Sequence, residues 1–350
     1  MPWFCDSPSP LGPRLRALVV LGLIVTEVLA GMAETPLQTS ATAPARLDLG
    51  TAGPTAGSVL TPIGEPGAPA LAAAKHKRHR RRKSQTTAKL LAAGDIASCS
   101  SSGDEATAKL LDTLAGRVIT LGDNAYDSGT ASEFNNCYKP TWGRQKARTR
   151  PAAGNHDYET AGAAGYFGYF GAAAGDPKKG YYSYDLGAWH IVALNSNCDQ
   201  VGGCDVGSPQ ETWLRQNLKA YPTKCTLAYW HHPRFSFGNY SNDARTQALW
   251  QALDDNGAEI VLSGHDHNYQ RWTPQTPTGT RDKARGIREF VVGTGGRSHY
   301  ALGSAPPNVE KANEDTFGIL QLTLHPTGYD WKFVPVAGKS FTDTGSTSCH

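Results

Sequence analysis

From Lys89 onwards, short apolar runs bounded by glycine, asparagine and aspartate recur: Leu90–Ala93, Val118–Leu121, His190–Leu194, Leu227–Trp230, Glu259–Leu262 and Glu289–Val292. Their length, β-branched content and flanking turn residues predict buried strands. Between them, Gln210–Leu218 and Thr246–Leu253 repeat apolar residues at helical spacing. Strands alternating with helices predict an α/β domain. Gly318–Leu324 and Tyr329–Val334 instead alternate residue by residue around His325-Pro326-Thr327-Gly328, the pattern of a hairpin. Tyr181–Leu186, just before Ala188-Trp189, adds another antiparallel candidate. Together these imply a mixed sheet or two packed sheets rather than a purely parallel one. No internal repeat is visible.

Ahead of Lys89 the texture differs. Arg14 and Arg16 precede an apolar stretch, Ala17–Met32, that ends in small residues. That is the layout of a secretory signal peptide, expected over 1–33. A retained membrane anchor is the other reading, disfavoured by the short run and by Glu27 within it. No second apolar run follows, so no transmembrane segment is expected once the leader is removed. Residues 34–88 are rich in Ala, Pro, Thr and Gly without a period of two or 3.6. Such a segment buries too little apolar surface to offset its ordering entropy and is expected to be a disordered tether. The domain proper is expected over 89–350.

The chain has 350 residues and a formal net charge of +3. That charge is unevenly placed: residues 89–350 hold 24 Lys and Arg against 26 Asp and Glu, whereas 34–88 hold 8 against 3. The basicity is concentrated in Lys75–Lys83, a self-repelling block. It could contact an anionic surface polymer or serve as a solvated linker. Without interleaved aromatic residues to stack bases, specific nucleic-acid recognition is not expected. Cys5 lies in the leader, and the other six cysteines are an even number suited to disulfides in an oxidising compartment. Cys198 and Cys204 bracket a turn-rich stretch and are the expected local pair. Localisation is accordingly expected to be secreted or cell-surface.

Five blocks carry candidate chemistry: Gly94-Asp95, Gly122-Asp123-Asn124-Ala125-Tyr126, Gly154-Asn155-His156-Asp157, His231-His232-Pro233 and Gly264-His265-Asp266-His267. Asp95, Asp123, His231 and His265 each fall one to three positions beyond an apolar run. In open α/β sheets that is the rim where binding crevices form. The glycines before the ligands would permit sharp turns and close backbone approach. Singly, each block has a plain structural reading: Gly-Asp is a turn dipeptide, Asn155-His156-Asp157 an Asx turn, Tyr126 a packed aromatic. As a set they offer oxygen and imidazole ligands enough for two metal ions, a device for attacking phosphoesters.

The ordered set resembles the calcineurin-like metallophosphoesterase superfamily, and the tyrosine of the second block resembles its purple acid phosphatase branch in a compact, single-domain form. The resemblance covers about residues 89–340 and implies two packed mixed β-sheets flanked by helices, a four-layer sandwich. It implies one metal at Asp95, Asp123, Tyr126 and His267, and a second at Asp123, Asn155, His231 and His265, with Asp123 bridging. A phenolate suits Fe(III), and the neutral set suits a divalent ion, Zn, Mn or Fe. His156 resembles the family's histidine that bonds the ester and protonates the leaving alkoxide. Asp157 is expected to orient a ligand histidine, and His232 to back the site or exchange roles with His231. Tyr240 stands near the place of a further leaving-group histidine. A hydroxyl there donates a hydrogen bond without cycling a proton as a histidine can.

Tyr158, Tyr166, Phe167, Tyr169 and Phe170 either line the substrate mouth or pack the core, and Arg297 either reaches a phosphate or serves the scaffold. The implied activity is a secreted, metal-dependent phosphatase acting on small phosphomonoesters through a metal-bound hydroxide. The alternatives are a phosphodiesterase or nucleotide pyrophosphatase using the same centre, and a surface-tethering protein whose function rests in the basic segment.

Overall fold

The structure, a computed structural model, describes residues 86–350. The expected leader, nearly all of the tether and the basic run lie outside the described residues. In chain order the strands are β1 (Ala88–Ala93), β2 (Arg117–Leu121), β3 (Thr149–Ala152), β4 (Tyr182–Leu186), β5 (Trp189–Ala193), β6 (Thr226–Tyr229) and β7 (Ile260–Ser263). They continue with β8 (Tyr269–Trp272), β9 (Arg288–Val292), β10 (Val309–Asn313), β11 (Gly318–His325), β12 (Gly328–Pro335) and β13 (Thr344–Ser348).

Two mixed sheets result. One runs β13-β12-β11-β1-β2-β3, with β1, β2 and β3 parallel and the remaining pairings antiparallel. The other runs β10-β8-β9-β7-β6-β5-β4, with β5, β6, β7 and β9 parallel. Each expected strand forms, as does the β11–β12 hairpin, where His325 pairs with Gly328. Antiparallel strands are confined to the flanks, so the parallel strands of each sheet share one carboxyl-terminal rim.

Side-chain alternation explains the layering. Ile191 and Ala193 on β5, Leu227 and Tyr229 on β6, and Ile260 and Leu262 on β7 join the same core cluster as Leu91, Val118 and Leu121. The intervening Val192, Ala228 and Val261 join another cluster with Leu214, Leu218, Leu249 and Leu253. One face of the second sheet therefore packs toward the first sheet and the other is covered by helices, which is why these strands read as unbroken apolar runs. Helix Pro209–Ala220 begins on Ser208, whose side chain accepts the Glu211 N–H, with proline in the first turn. It buries Gln210, Glu211, Leu214, Asn217 and Leu218, one stripe at helical spacing. On the first sheet, Ala108 and Leu111 of helix Gly103–Thr113 complete the cluster.

Three disulfides close the fold: Cys99–Cys137, Cys198–Cys204 and Cys225–Cys349. The second is the expected local pair. Among the described residues no helix is long and apolar enough to cross a membrane.

Candidate metal centre

The chain turns sharply as it leaves each rim strand. Asp95, Asp123 and His265 all have left-handed backbones, with φ of 61°, 48° and 68°. For residues other than glycine that conformation is strained, and it persists where surrounding structure enforces it, commonly at functional sites. The strain therefore sits on the candidate ligands themselves. Gly122 is also left-handed at φ 88°, and a β-carbon there would lie 2.4 Å from His231 Nδ1. At Gly154 the need is for close approach, since a β-carbon would fall 2.0 Å from Asp123 Oδ1.

Each carboxylate is held by one oxygen and offers the other. Asp95 Oδ2 accepts the His265 N–H at 2.9 Å, and Asp123 Oδ1 accepts the His156 N–H at 2.9 Å. Their free oxygens converge on Tyr126 Oη, 3.0 Å from Asp95 Oδ1 and 2.9 Å from Asp123 Oδ2. His267 Nε2 joins them at 3.2 Å from the same hydroxyl. A second convergence lies on the other side of Asp123. His231 Nε2 is 3.2 Å from Asp123 Oδ2, 3.0 Å from Asn155 Oδ1 and 3.1 Å from His265 Nδ1. Asp123 Oδ2 is the atom common to both.

Proton counting identifies what fits there. His231 Nδ1 donates to the Leu121 carbonyl at 2.8 Å, so the neutral ring directs its Nε2 lone pair into the second convergence. Asp123 and Asn155 bring further lone pairs, and His265 at most one proton. The Tyr126 phenol has one proton for three surrounding acceptors. Asp95, Asp123, Tyr126, His231 and His267 are all buried, so water does not relieve the crowding. Two acceptor-rich points sharing one carboxylate are what a pair of cations would occupy, and the donor set fits them.

The titration tendencies agree. Burial opposes the Asp123 charge, yet His231 and His156 outweigh it and hold the carboxyl well below the usual range. Burial, with Asp123 and Asp95 alongside, drives the Tyr126 phenol far above its ordinary value, so a phenolate requires a cation beside it. Burial and the neighbouring His231 lower His265 to about 3, leaving a neutral imidazole able to ligate. His231 runs the other way: burial resists its charge, but the adjacent Asp123 raises it to about 9, so without a cation the ring takes a second proton on Nε2, which a metal bound there would displace.

The flanking residues sort differently from expectation. His156 meets the Asp127 carbonyl through Nδ1 and places Nε2 4.0 Å from Asp123 Oδ2. Asp157, expected to orient a histidine, instead accepts from the Asn124 side chain and the Gly154 N–H, each at 2.9 Å, so it braces the loops that hold Asp123 and Asn155. Its own carboxyl is pushed up to about 7 by burial and by the charge of Asp123. His232 bonds Ser196 Oγ through Nδ1 at 2.8 Å and is held neutral by burial. It also lies close enough to His231 and His265 for the three to form a possible ligand group. Tyr240 lays its ring on His265, with centroids 3.9 Å apart. Tyr166, Phe167 and Phe170 are core, Tyr169 stacks on Phe134, and Tyr158 alone of that group lines the cleft beside the site. Arg297 sits over the Tyr126 ring at 5.1 Å and pairs with Asp127 at 2.9 Å.

Several contributors escaped the sequence reading. Ser298 Oγ bonds His267 Nδ1 at 2.7 Å, and Asp266 fixes the 236–240 loop through Ser236 Oγ and the Tyr240 N–H. The position of Asp266 between two candidate ligand histidines was the available signal for it; a lone serine carries none.

Comparison with known proteins bears on the same residues. Residues 88–269 match the family model for calcineurin-like phosphoesterases. Purple acid phosphatase 15 of Arabidopsis thaliana is 25% identical over 191 residues, covering 44% of this chain and 35% of that protein. An uncharacterised protein of Mycobacterium tuberculosis strain H37Rv is 29% identical over 187 residues, covering 42% and 35%. The chain thus spans about a third of the length of these curated relatives. In fold it is similar to the purple acid phosphatase PPD1 of yellow lupin seeds, with a TM-score of 0.58 at 17% identity over 75% of this chain and 54% of that one. It is similar also to GAP50, the anchor in the inner membrane complex of Plasmodium, with a TM-score of 0.59 at 13% identity over 75% and 89%. A fold shared with an anchor protein leaves the chemistry to be argued from the site. Since the family match covers more than half of the chain and takes in every one of the converging Asp, Asn, Tyr and His side chains, the chain belongs to the calcineurin-like phosphoesterase family, whose members use a dinuclear metal centre.

Proposed function

We propose that the protein is a secreted phosphatase that hydrolyses small phosphomonoesters at a mixed-valent metal pair. The observation that carries this reading is the sharing of Asp123 Oδ2 between the two convergences. Asp95, Asp123, Tyr126 and His267 would hold Fe(III), and Asp123, Asn155, His231 and His265 a divalent Zn, Mn or Fe ion. Bound there, the metals supply a nucleophile at neutral pH and neutralise phosphoryl charge.

The protein's own groups do the rest. With Nδ1–H given to the Asp127 carbonyl, His156 works through Nε2, which faces the centre and as imidazolium can donate to the departing alkoxide. His232, fixed through Ser196, lines the cleft as a neutral imidazole. Arg297, over the Tyr126 face, places positive charge beside the phenol. Export is supported by the three disulfides. Contact of Lys75–Lys83 with an anionic polymer belongs to the same reading.

The test is metal analysis and a visible absorption spectrum of protein purified without chelator, with rates on aryl phosphate monoesters and diesters. Bound iron with a charge-transfer band lost in Tyr126→Phe, and faster monoester turnover, is the expected result. Faster diester turnover moves the protein to the phosphodiesterase alternative. Retention of biological activity in Asp123→Ala would make it a tethering protein instead.

A further inference from the structure

Beside the centre the surface opens into two lobes. The larger, about 610 Å³, contains His265 and Tyr240, and the smaller, about 340 Å³, contains Tyr158 and Asn197. Asn155, His232 and Arg245 line both, so Arg245 stands where the lobes meet, on the side of the divalent set. Its charge is close enough to His232 to help depress that ring's basicity.

Among the described residues Arg245 is the only cation lining the larger lobe, and Asp243 its only carboxylate. Asp243 is committed: Oδ1 accepts the Arg245 N–H at 2.9 Å and Oδ2 meets Arg245 Nε at 2.5 Å. That clamp fixes the guanidinium plane from one side. The Nη1–Nη2 edge of the guanidinium is separate from the Nε–H that meets Asp243, and such an edge can bind a carboxylate or phosphate in a fork. The remainder of the lobe carries no carboxylate, and Asn239, Ser241 and Asn242 give it hydrogen-bonding side chains. The smaller lobe carries Glu159 and Asp199, which repel an anion.

We propose that the larger lobe is a subsite for a second anionic group on the substrate, with Arg245 as the specificity residue. The preferred substrates are then small organic phosphomonoesters bearing a carboxylate or further phosphate a few bonds from the scissile ester. This rests on the phosphatase reading above, because the lobe is a substrate site only if hydrolysis takes place over Asn155 and His265.

The matched pair 3-phosphoglycerate and glycerol 3-phosphate differ in a carboxylate against a neutral hydroxymethyl group. Full-length metal-loaded protein should favour the former in kcat/KM. Arg245→Gln should lower that preference ratio about tenfold or more, through KM, as expected for one lost charge-assisted contact. Asp243→Asn, which keeps the guanidinium but loosens its clamp, should fall between. An unchanged ratio overturns the subsite, as does an equal fall on both substrates with a lowered melting temperature, the mark of a scaffold role. If the wild type turns over neither ester, the phosphatase reading fails, and calorimetric titration with 3-phosphoglycerate decides the subsite separately. Binding weakened tenfold by Arg245→Gln sustains it; binding unaltered removes it.

Discussion

Replacing Ser298 with alanine tests the ligand arrangement without touching a ligand. Ser298 Oγ lies 2.7 Å from His267 Nδ1, and the His267 side chain is only 4% exposed. With Nδ1–H given to the serine, the ring's lone pair sits on Nε2, which faces Tyr126 and Asp95. Alanine removes that acceptor, at about 1 kcal/mol or roughly fivefold in affinity. It also readmits the tautomer with hydrogen on Nε2, about a further twofold. Ring orientation survives, because Tyr300 stacks on His267 at 3.9 Å and 8°, and the Tyr300 N–H holds the His267 carbonyl at 3.0 Å. The net expectation is about a tenfold weaker metal site, the low end for loss of a group that supports a ligand. Competition with a graded series of chelators, followed by metal content, measures it. The weakening should be confined to the ion beside Tyr126, with the thermal midpoint nearly unchanged. Affinity within twofold of wild type would refute the assignment of His267 Nε2 as a ligand, as would equal weakening at both sites.

Gly154→Ala forces a β-carbon to 2.0 Å from Asp123 Oδ1, so turnover should fall on the order of a hundredfold in a folded protein. Gly168→Ala, with nothing within 4 Å, should leave turnover intact, and equal losses in the two would contradict the geometry. Removing Cys225–Cys349, whose partners are 124 residues apart, should destabilise by up to about 5 kcal/mol in guanidinium unfolding, against about 2 kcal/mol for Cys198–Cys204, separated by 6. A larger effect from the short loop would exclude an entropic origin. Glu259, 5% exposed and bonded to the His350 N–H at 2.8 Å, has its carboxyl pushed by burial from 4.5 to about 7. The native state therefore keeps a proton that the unfolded chain releases, and stability should fall as pH rises from 4.5 to 7, by up to about 3 kcal/mol. Glu259→Gln should flatten that decline; an unchanged slope would remove Glu259 as its source.

The strands were legible because parallel strands covered on both faces read as continuous apolar runs. The same property hid the layering: nothing in His190–Leu194 says that Ile191 turns toward the other sheet and Val192 toward the helices. Candidate ligands were legible because carboxylates and imidazoles directly after such runs are few. Their supports were not. Leu121 lends His231 a backbone carbonyl across 110 positions, and any residue type has a carbonyl to give. Ser196 and Ser298 are single serines far from the histidines they bond. The glycine argument held at Gly122 for conformation and at Gly154 for close approach, but the left-handed turns fell chiefly on the ligands. Asp157 illustrates the limit of carrying a role by position: adjacency to His156 placed it near the centre, and its three-residue reach back to Gly154 made it a loop brace.

The centre joins the two sheets. Asp95, Asp123 and Asn155 follow strands of one, whereas His231 and His265 follow strands of the other. Cross-sheet bonds tie them: Leu121 to His231, Asp95 to the His265 N–H, and Asn155 to His231. The spacing of any metal pair is therefore set by how closely the sheets pack, that is, by Leu91, Leu121, Leu227 and Leu262 in the shared core. Close-packed interiors do not deform continuously, so the site inherits its precision from the core while its chemistry comes from the rim. Coupling of this kind accounts for the strained backbone at Asp95, Asp123 and His265: inter-sheet packing holds the strands too firmly for those turns to relax.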